Sequence, residues 1–178
     1  MGGRAWDTGR VIVLVGFMGA GKSHVGRILA TRLKLPFWDV DPIIEERTGR
    51  RIAEIFATDG EPAFRDLEHA TIAELLRGPR GVMAAGGGAA IDPRTQALLR
   101  TTAVTVHLRV SLIQSLSRVG ADPGRPVLGR PDLPQVYAWR SPVYASLADI
   151  SVDTDDRTQD TIVKEIIRQL ELLSEGDT

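Results

Sequence analysis

At 178 residues the chain suits one domain with a sizeable core, and its formal net charge of −1 gives no reason to expect nucleic acid or an anionic membrane as a partner. Cysteine is absent, which excludes a disulfide framework and a thiolate metal site. The polar start MGGRAWDTGR lacks the apolar core of a signal peptide and no apolar run reaches the length of a membrane span, so a soluble, cytoplasmic protein is expected.

Residues 1–9 and 174–178 read as loose ends of a single domain covering 10–173. Val11 to Val15 are five β-favouring apolar residues running into Gly16, and Gly16 to Ser23 have the spacing GxxxxGKS. Val25, Ile28, Leu29 and Leu33 then recur at helical spacing. Strand, glycine-rich loop and helix in that order are what a phosphate-binding loop requires, and a nucleotide is the expected ligand. Glycines at 16, 19 and 21 let the backbone curl so that the N–H groups of Gly19, Ala20, Gly21, Lys22, Ser23 and His24 face an anion at a helix N-terminus. Lys22 is placed to reach the β- and γ-phosphates, and the Ser23 hydroxyl to ligate Mg²⁺.

Further β-type runs at 36–40, 81–85, 103–108 and 149–152 alternate with helical patterns. Together with 11–15 they predict a five-stranded parallel sheet with helices on both faces. Asp39-Val40-Asp41 ends the second run. Ligands of such sheets lodge beyond the carboxyl ends of the strands, and alternate strand residues share a face. The two carboxylates are therefore expected side by side, one on a metal and the other on a substrate hydroxyl; the competing reading makes Asp41 a helix cap before Pro42. Ile52, Ile55 and Phe56 form a short amphipathic turn, and a second helix starts at Asp59-Gly60-Glu61-Pro62 with Phe64, Leu67, Thr71 and Leu75 as its buried stripe. Arg65 falls off that stripe. Gly86, Gly87 and Gly88 follow a strand directly and permit close approach of a ligand or simply a tight turn. Val119 to Asp132 carry three glycines and three prolines, the composition of a segment that opens and closes. A final helix over about 158–173 presents Ile162, Val163, Ile166, Ile167 and Leu170 for packing.

In order, GFMGAGKS, WDVDPIIEERTGRRIAEIF, GEPAFRDLE, GGG, RPVLG and Arg140-x-Pro-x-Tyr144 resemble the shikimate kinase family, over about residues 10–160. The phosphate loop alone indicates an NTPase; the later blocks are far more selective. The resemblance implies an α/β fold, a P-loop kinase of the nucleoside monophosphate kinase type, with a mobile lid at about 119–132. It implies ATP and shikimate as substrates with Mg²⁺ as cofactor, transfer to the shikimate 3-hydroxyl, and no nucleic acid, membrane or partner subunit, a monomer being the default. By position, Lys22 and Ser23 keep their loop roles and Asp39 helps to hold Mg²⁺. Asp41 binds a ring hydroxyl and is the candidate base, while Arg65 and Arg140 pair with the shikimate carboxylate. Gly87 and Gly88 present backbone to the ring. Arg125 is the lid arginine on the transferring group, and Arg118 and Arg157 flank the adenine.

Three positions depart from the family pattern. His24 replaces the usual threonine after GKS and is expected to point away from the nucleotide, its side chain without a role. The segment before Arg140 is about four residues shorter than usual, which in a helix is about one turn and would move Arg140 along the axis while keeping its facing. Gln159 stands where a proline is often found in the adenine loop. A gluconate kinase-like enzyme and a non-catalytic nucleotide-binding relative are the alternatives. His69 and His107 read as packing or surface residues.

Overall fold

The unbroken apolar run VIVLV becomes β1 (Val11–Val15), buried along its whole length as the central strand of a parallel sheet. This computed structural model describes residues 7–120 and 131–176. The other strands are β2 (Phe37–Asp39), β3 (Val82–Ala84), β4 (Ala103–Arg109) and β5 (Ile150–Asp153), in the order β2-β3-β1-β4-β5. Every pairing is parallel. The five expected strands are thus all present, with ends shifted by a residue or so. Half-buried β2 lies at one edge, as its mixed sequence FWD suggests. The chain leaves β1 toward β2 and returns to the other flank of β1 for β4. The carboxyl end of β1 is therefore a switch point, where ligands of open α/β sheets lodge.

Helices cover both faces. On one, α1 (Lys22–Leu33) packs against β3 and against α8 (Gln159–Gly176), which also covers β5. On the other, α4 (Gly60–Arg77) packs on α5 (Pro93–Thr102), and α5 and α7 (Leu133–Leu147) pack on β4. The short α2 (Val40–Thr48) and α3 (Ile52–Thr58) lie against α4, and α6 (Leu112–Val119) follows β4.

Three sequence expectations need correction. Helix α8 runs to Gly176, so residues 174–176 are helical rather than loose; the Ser174 hydroxyl donates to the Leu170 carbonyl one turn back. At the other end, Asp7 forms an ion pair with Arg80. The buried stripe of α4 is Phe64, Glu68, Thr71 and Ile72, while Leu67 is 37 % exposed. A carboxylate replaces the expected leucine in the interior because Arg65, one turn away, supplies its partner. Residues 121–130, which include Arg125 and most of the expected lid, lie outside the described residues. Among those described, no helix is long and apolar enough to cross a membrane.

Candidate active site

The loop between β1 and α1 owes its shape to what lies beneath it. Gly16 has φ 146° and Gly19 φ 70°, and a Cβ at either would meet a carbonyl oxygen, Leu108 at 2.5 Å or Ser115 at 2.8 Å. Helix α6 therefore requires glycine at 19 by close approach, and the Ser115 hydroxyl donates to the Met18 carbonyl at 2.9 Å. Gly21 caps α1 with φ 89° and no side-chain hydrogen bond. The N–H groups of the first turn are thus left for an anion. Lys22 Nζ donates to the carbonyls of Gly16 (2.8 Å) and Phe17 (3.0 Å), which holds the ammonium over the loop.

A cavity of about 460 Å³ opens above this loop, lined by Gly19, Gly21, Lys22, Ser23, Asp39 and Asp41, with Gly86 and Gly87 on its far wall. The expected meeting of phosphate loop and carboxylates is therefore present, but for another reason than strand alternation. Strand β2 stops at Asp39, and Asp41 stands in the first turn of α2. Proline at 42 fits the fixed φ of a first helical turn, so the chain coils before a second strand position is reached. The capping alternative for Asp41 also fails, since the N-cap is Asp39 and makes no side-chain cap bond.

His24, expected to face away, is on the wall of this cavity, as are Arg27 and Gln159. Arg118 lines it too, donating to the Gly19 carbonyl (3.2 Å) and to Thr154 on the sheet side. Arg157 is not part of the lining; it donates to the Asp153 carbonyl and to Glu165 of α8.

A second, larger cavity of about 870 Å³ brings Arg65 of α4 and Arg140 of α7 together, with Trp139, Val136 and Pro62 among its walls. Arg140 is 6 % exposed and sits within α7, and of the shortened segment before it residues 133–139 are helical while Pro131 and Asp132 form a turn. Arg65 is not the solvated charge its place off the stripe suggests. Its guanidinium lies over Phe64, donates to Glu61 on one side, and donates to Glu68 at the other. Glu68 stands between residues of the two cavities, accepting from Arg65 of the larger one and lying beside Gly86 and Asp41 of the smaller. Burial pushes its carboxyl up to about 7 against the pull of Arg65, and the neighbouring Asp41 charge pushes the same way as burial. A Cβ on Gly86 would stand 2.2 Å from Glu68 Oε1 and 2.9 Å from Asp41 Oδ1; one on Gly88 would strike the Arg65 guanidinium at 2.2 Å. Side chains packed against the turn thus crowd a Cβ at either place: at 86 it would meet two carboxylates, and at 88 it would displace the flexible tip of Arg65. Gly87 carries a different restraint, a hydrogen bond to its carbonyl from the buried Tyr144 hydroxyl.

Sequence reasoning gave no role to Glu68 or Tyr144. Both were legible in hindsight as helical neighbours of the chosen arginines, Glu68 at i+3 from Arg65 and Tyr144 at i+4 from Arg140. Among the described residues no cluster of three or more acidic or histidine side chains forms a self-sufficient metal site.

The arrangement combines a phosphate loop, two carboxylates beside it and, across a glycine turn, the buried Arg140 and the partly buried Arg65. Comparison with known proteins places it. The family model described as shikimate kinase matches residues 18–171. A shikimate kinase of Pseudomonas syringae pv. syringae is 44% identical over 165 residues, 90% of this chain and 96% of that protein. Among solved structures, shikimate kinase from Acinetobacter baumannii in complex with shikimate superposes with a TM-score of 0.89 at 33% identity, covering 96% of this chain and 97% of the other. A gluconokinase from Sinorhizobium meliloti (TM-score 0.66, 23% identity) shares the fold alone. With a family match over residues 18–171 and a relative 44% identical across 90% of this sequence, the chain belongs to the shikimate kinase family.

Proposed function

We propose that this chain transfers the γ-phosphoryl group of ATP to the 3-hydroxyl of shikimate, giving ADP and shikimate 3-phosphate. The observation that carries the reading is the pair of arginines from α4 and α7 on one cavity, joined through Glu68 and the glycine turn to the phosphate-loop cavity. A small polyol with one carboxylate needs a guanidinium fork at one end and a hydroxyl acceptor at the other. Arg65 and Arg140 supply the first, Asp41 the second, and the backbone of Gly87 and Gly88 faces the ring.

In this reading the first turn of α1 binds the nucleotide phosphates through the backbone from Gly19 to His24, with Ala20 between the loop glycines. Lys22 leaves its two carbonyl acceptors to meet the β- and γ-phosphates. Asp41 takes the proton of the 3-hydroxyl as its oxygen forms a bond to the γ-phosphorus; the bond from that phosphorus to the bridging oxygen breaks and ADP departs. Arg118 flanks the adenine, while Arg157, held by the Asp153 carbonyl and Glu165 outside the lining, would have to swing in to reach it. Arg125, outside the described residues, acts on the transferring group by analogy with the family.

The donors near Lys22 suit Mg²⁺: Ser23 and Asp39 line the same cavity and offer hard oxygen ligands. Few protein ligands are needed, because Mg²⁺ keeps waters and takes phosphate oxygens. When bound it neutralises charge on the β- and γ-phosphates. The protein works as a cytoplasmic monomer on small molecules, without nucleic acid or membrane.

A coupled ADP-release assay with shikimate, gluconate or no acceptor tests the reading. Shikimate-dependent release with a background rate for gluconate is expected. Faster release with gluconate would overturn the acceptor, and acceptor-independent rates throughout would overturn the kinase activity.

A further inference from the structure

Tyr144 is 1 % exposed near the end of α7, and its hydroxyl donates to the carbonyl oxygen of Gly87. The Arg140 guanidinium, one turn earlier on the same helix, lies against the same phenol. Its charge and a hydrogen bond oppose the burial that pushes that hydroxyl up to about 12. From the sheet side the phenol ring meets His107, with ring centroids 5.5 Å apart. Burial and the nearby Arg109 and Lys22 charges lower the His107 pKa to about 4, so this contact carries no charge at neutral pH. One hydroxyl thus stands between Arg140 of the larger cavity and the Gly87 backbone on the wall of the phosphate-loop cavity.

Both of those groups need such a tie. Gly87 has no side chain to anchor it, and the nearest atoms to a Cβ there would be 3.8 Å away. Glycine also has the widest backbone freedom of any residue. Arg140 Nε is buried without a hydrogen-bond partner among the described residues, so the guanidinium is not clamped at that end. The peptide bond between Gly87 and Gly88 is trans, as are all those among the described residues, so its C=O and N–H point in opposite directions within one plane. Drawing the oxygen toward α7 turns the Gly88 N–H away from it.

We propose that Tyr144 is a positioning residue for the acceptor: its hydroxyl binds Arg140 and the Gly87–Gly88 turn into one unit, fixing the spacing between carboxylate contact and ring contact. This rests on the reading of Arg140 and the glycine turn as acceptor ligands. A phenylalanine keeps the ring volume against His107 and removes only the linkage.

The test is Tyr144→Phe, studied by steady-state kinetics and by direct calorimetric titration with shikimate. The KM and Kd for shikimate rise about tenfold, the scale of a lost buried hydrogen bond with a displaced ligand group, while kcat and the KM for ATP stay within about twofold. In an Arg140→Ala background the same change adds little, because the linkage is already broken. In the ligand-free protein, Arg140→Ala shifts the amide resonances of Gly87 and Gly88, a readout that does not depend on the tyrosine variant folding. An unchanged shikimate KM with a lowered melting temperature would reduce Tyr144 to packing. An equal rise in the KM for ATP, additive effects in the double variant, or unmoved glycine resonances would each overturn the linkage. Wild-type protein that binds no shikimate in the same titration would overturn the functional reading instead.

Discussion

Glu68 accepts a hydrogen bond from Arg65, one turn before it on α4, with the carboxylate side chain only 2 % exposed and the guanidinium laid over Phe64. The carboxyl is raised from 4.5 to about 7 by burial, which outweighs the arginine. The folded protein therefore holds this proton more tightly than the unfolded chain, and between those two values stability falls as pH rises. Relative to Glu68→Gln, which cannot ionise, the wild type should lose on the order of 1–3 kcal/mol between pH 5 and 8. Urea denaturation of both proteins at several pH values measures it. A wild type that gains on the variant as pH rises would mean that attraction to Arg65 outweighs burial.

Gly88 has an ordinary backbone, φ −101° and ψ −10°, so alanine there meets no conformational strain. Its Cβ would instead occupy the place of the Arg65 guanidinium. Gly88→Ala should fold, displace the tip of Arg65, and raise the KM for shikimate about 10- to 100-fold with the KM for ATP unchanged. Kinetics with each substrate varied in turn checks this, and an equal effect on both would place the damage in the phosphate loop.

Asp39 and Asp41 line one cavity from different elements, the end of β2 and the first turn of α2. If Asp41 accepts the proton, Asp41→Asn should cut kcat by about 10²-fold or more and leave ATP binding intact, since an amide keeps the shape but takes no proton. Asp39→Asn should instead raise the Mg²⁺ concentration needed for half-maximal rate. Superimposable Mg²⁺ titrations of the two variants would show the division of labour to be wrong.

Arg65 and Arg140 meet a carboxylate that does not react, so their contacts exist before and during transfer. Arg65→Lys and Arg140→Lys should raise the KM for shikimate more than they lower kcat, because a point charge cannot replace a two-pronged guanidinium. Arg125→Ala should do the reverse, lowering kcat by about 10²–10³-fold with shikimate binding little changed, as for other lost stabilisers of transition-state charge. Loss of shikimate binding at preserved turnover in Arg125→Ala would assign that arginine to the acceptor instead.

The sequence by itself determined whatever depends on contiguous residues. The run VIVLV, the loop GxxxxGKS and the helical spacing after it were enough for β1, the phosphate loop and α1, because apolar periodicity and glycine placement act over one turn or strand at a time. The alternation of elements was likewise enough for a five-stranded parallel sheet. Only the tertiary structure decided which side chains face which. That Gly19 must be glycine because of Ser115 on α6, and that a Cβ at Gly88 would displace Arg65 of α4, depends on packing between distant segments. That α4 buries Glu68 rather than Leu67 depends on an ion pair whose strength exists only once water is excluded around it. The same holds for Tyr144, whose partner is a backbone carbonyl with no signature in sequence at all. Local pattern writes the elements; desolvation and close approach, which arise only when they are packed, select the chemistry between them.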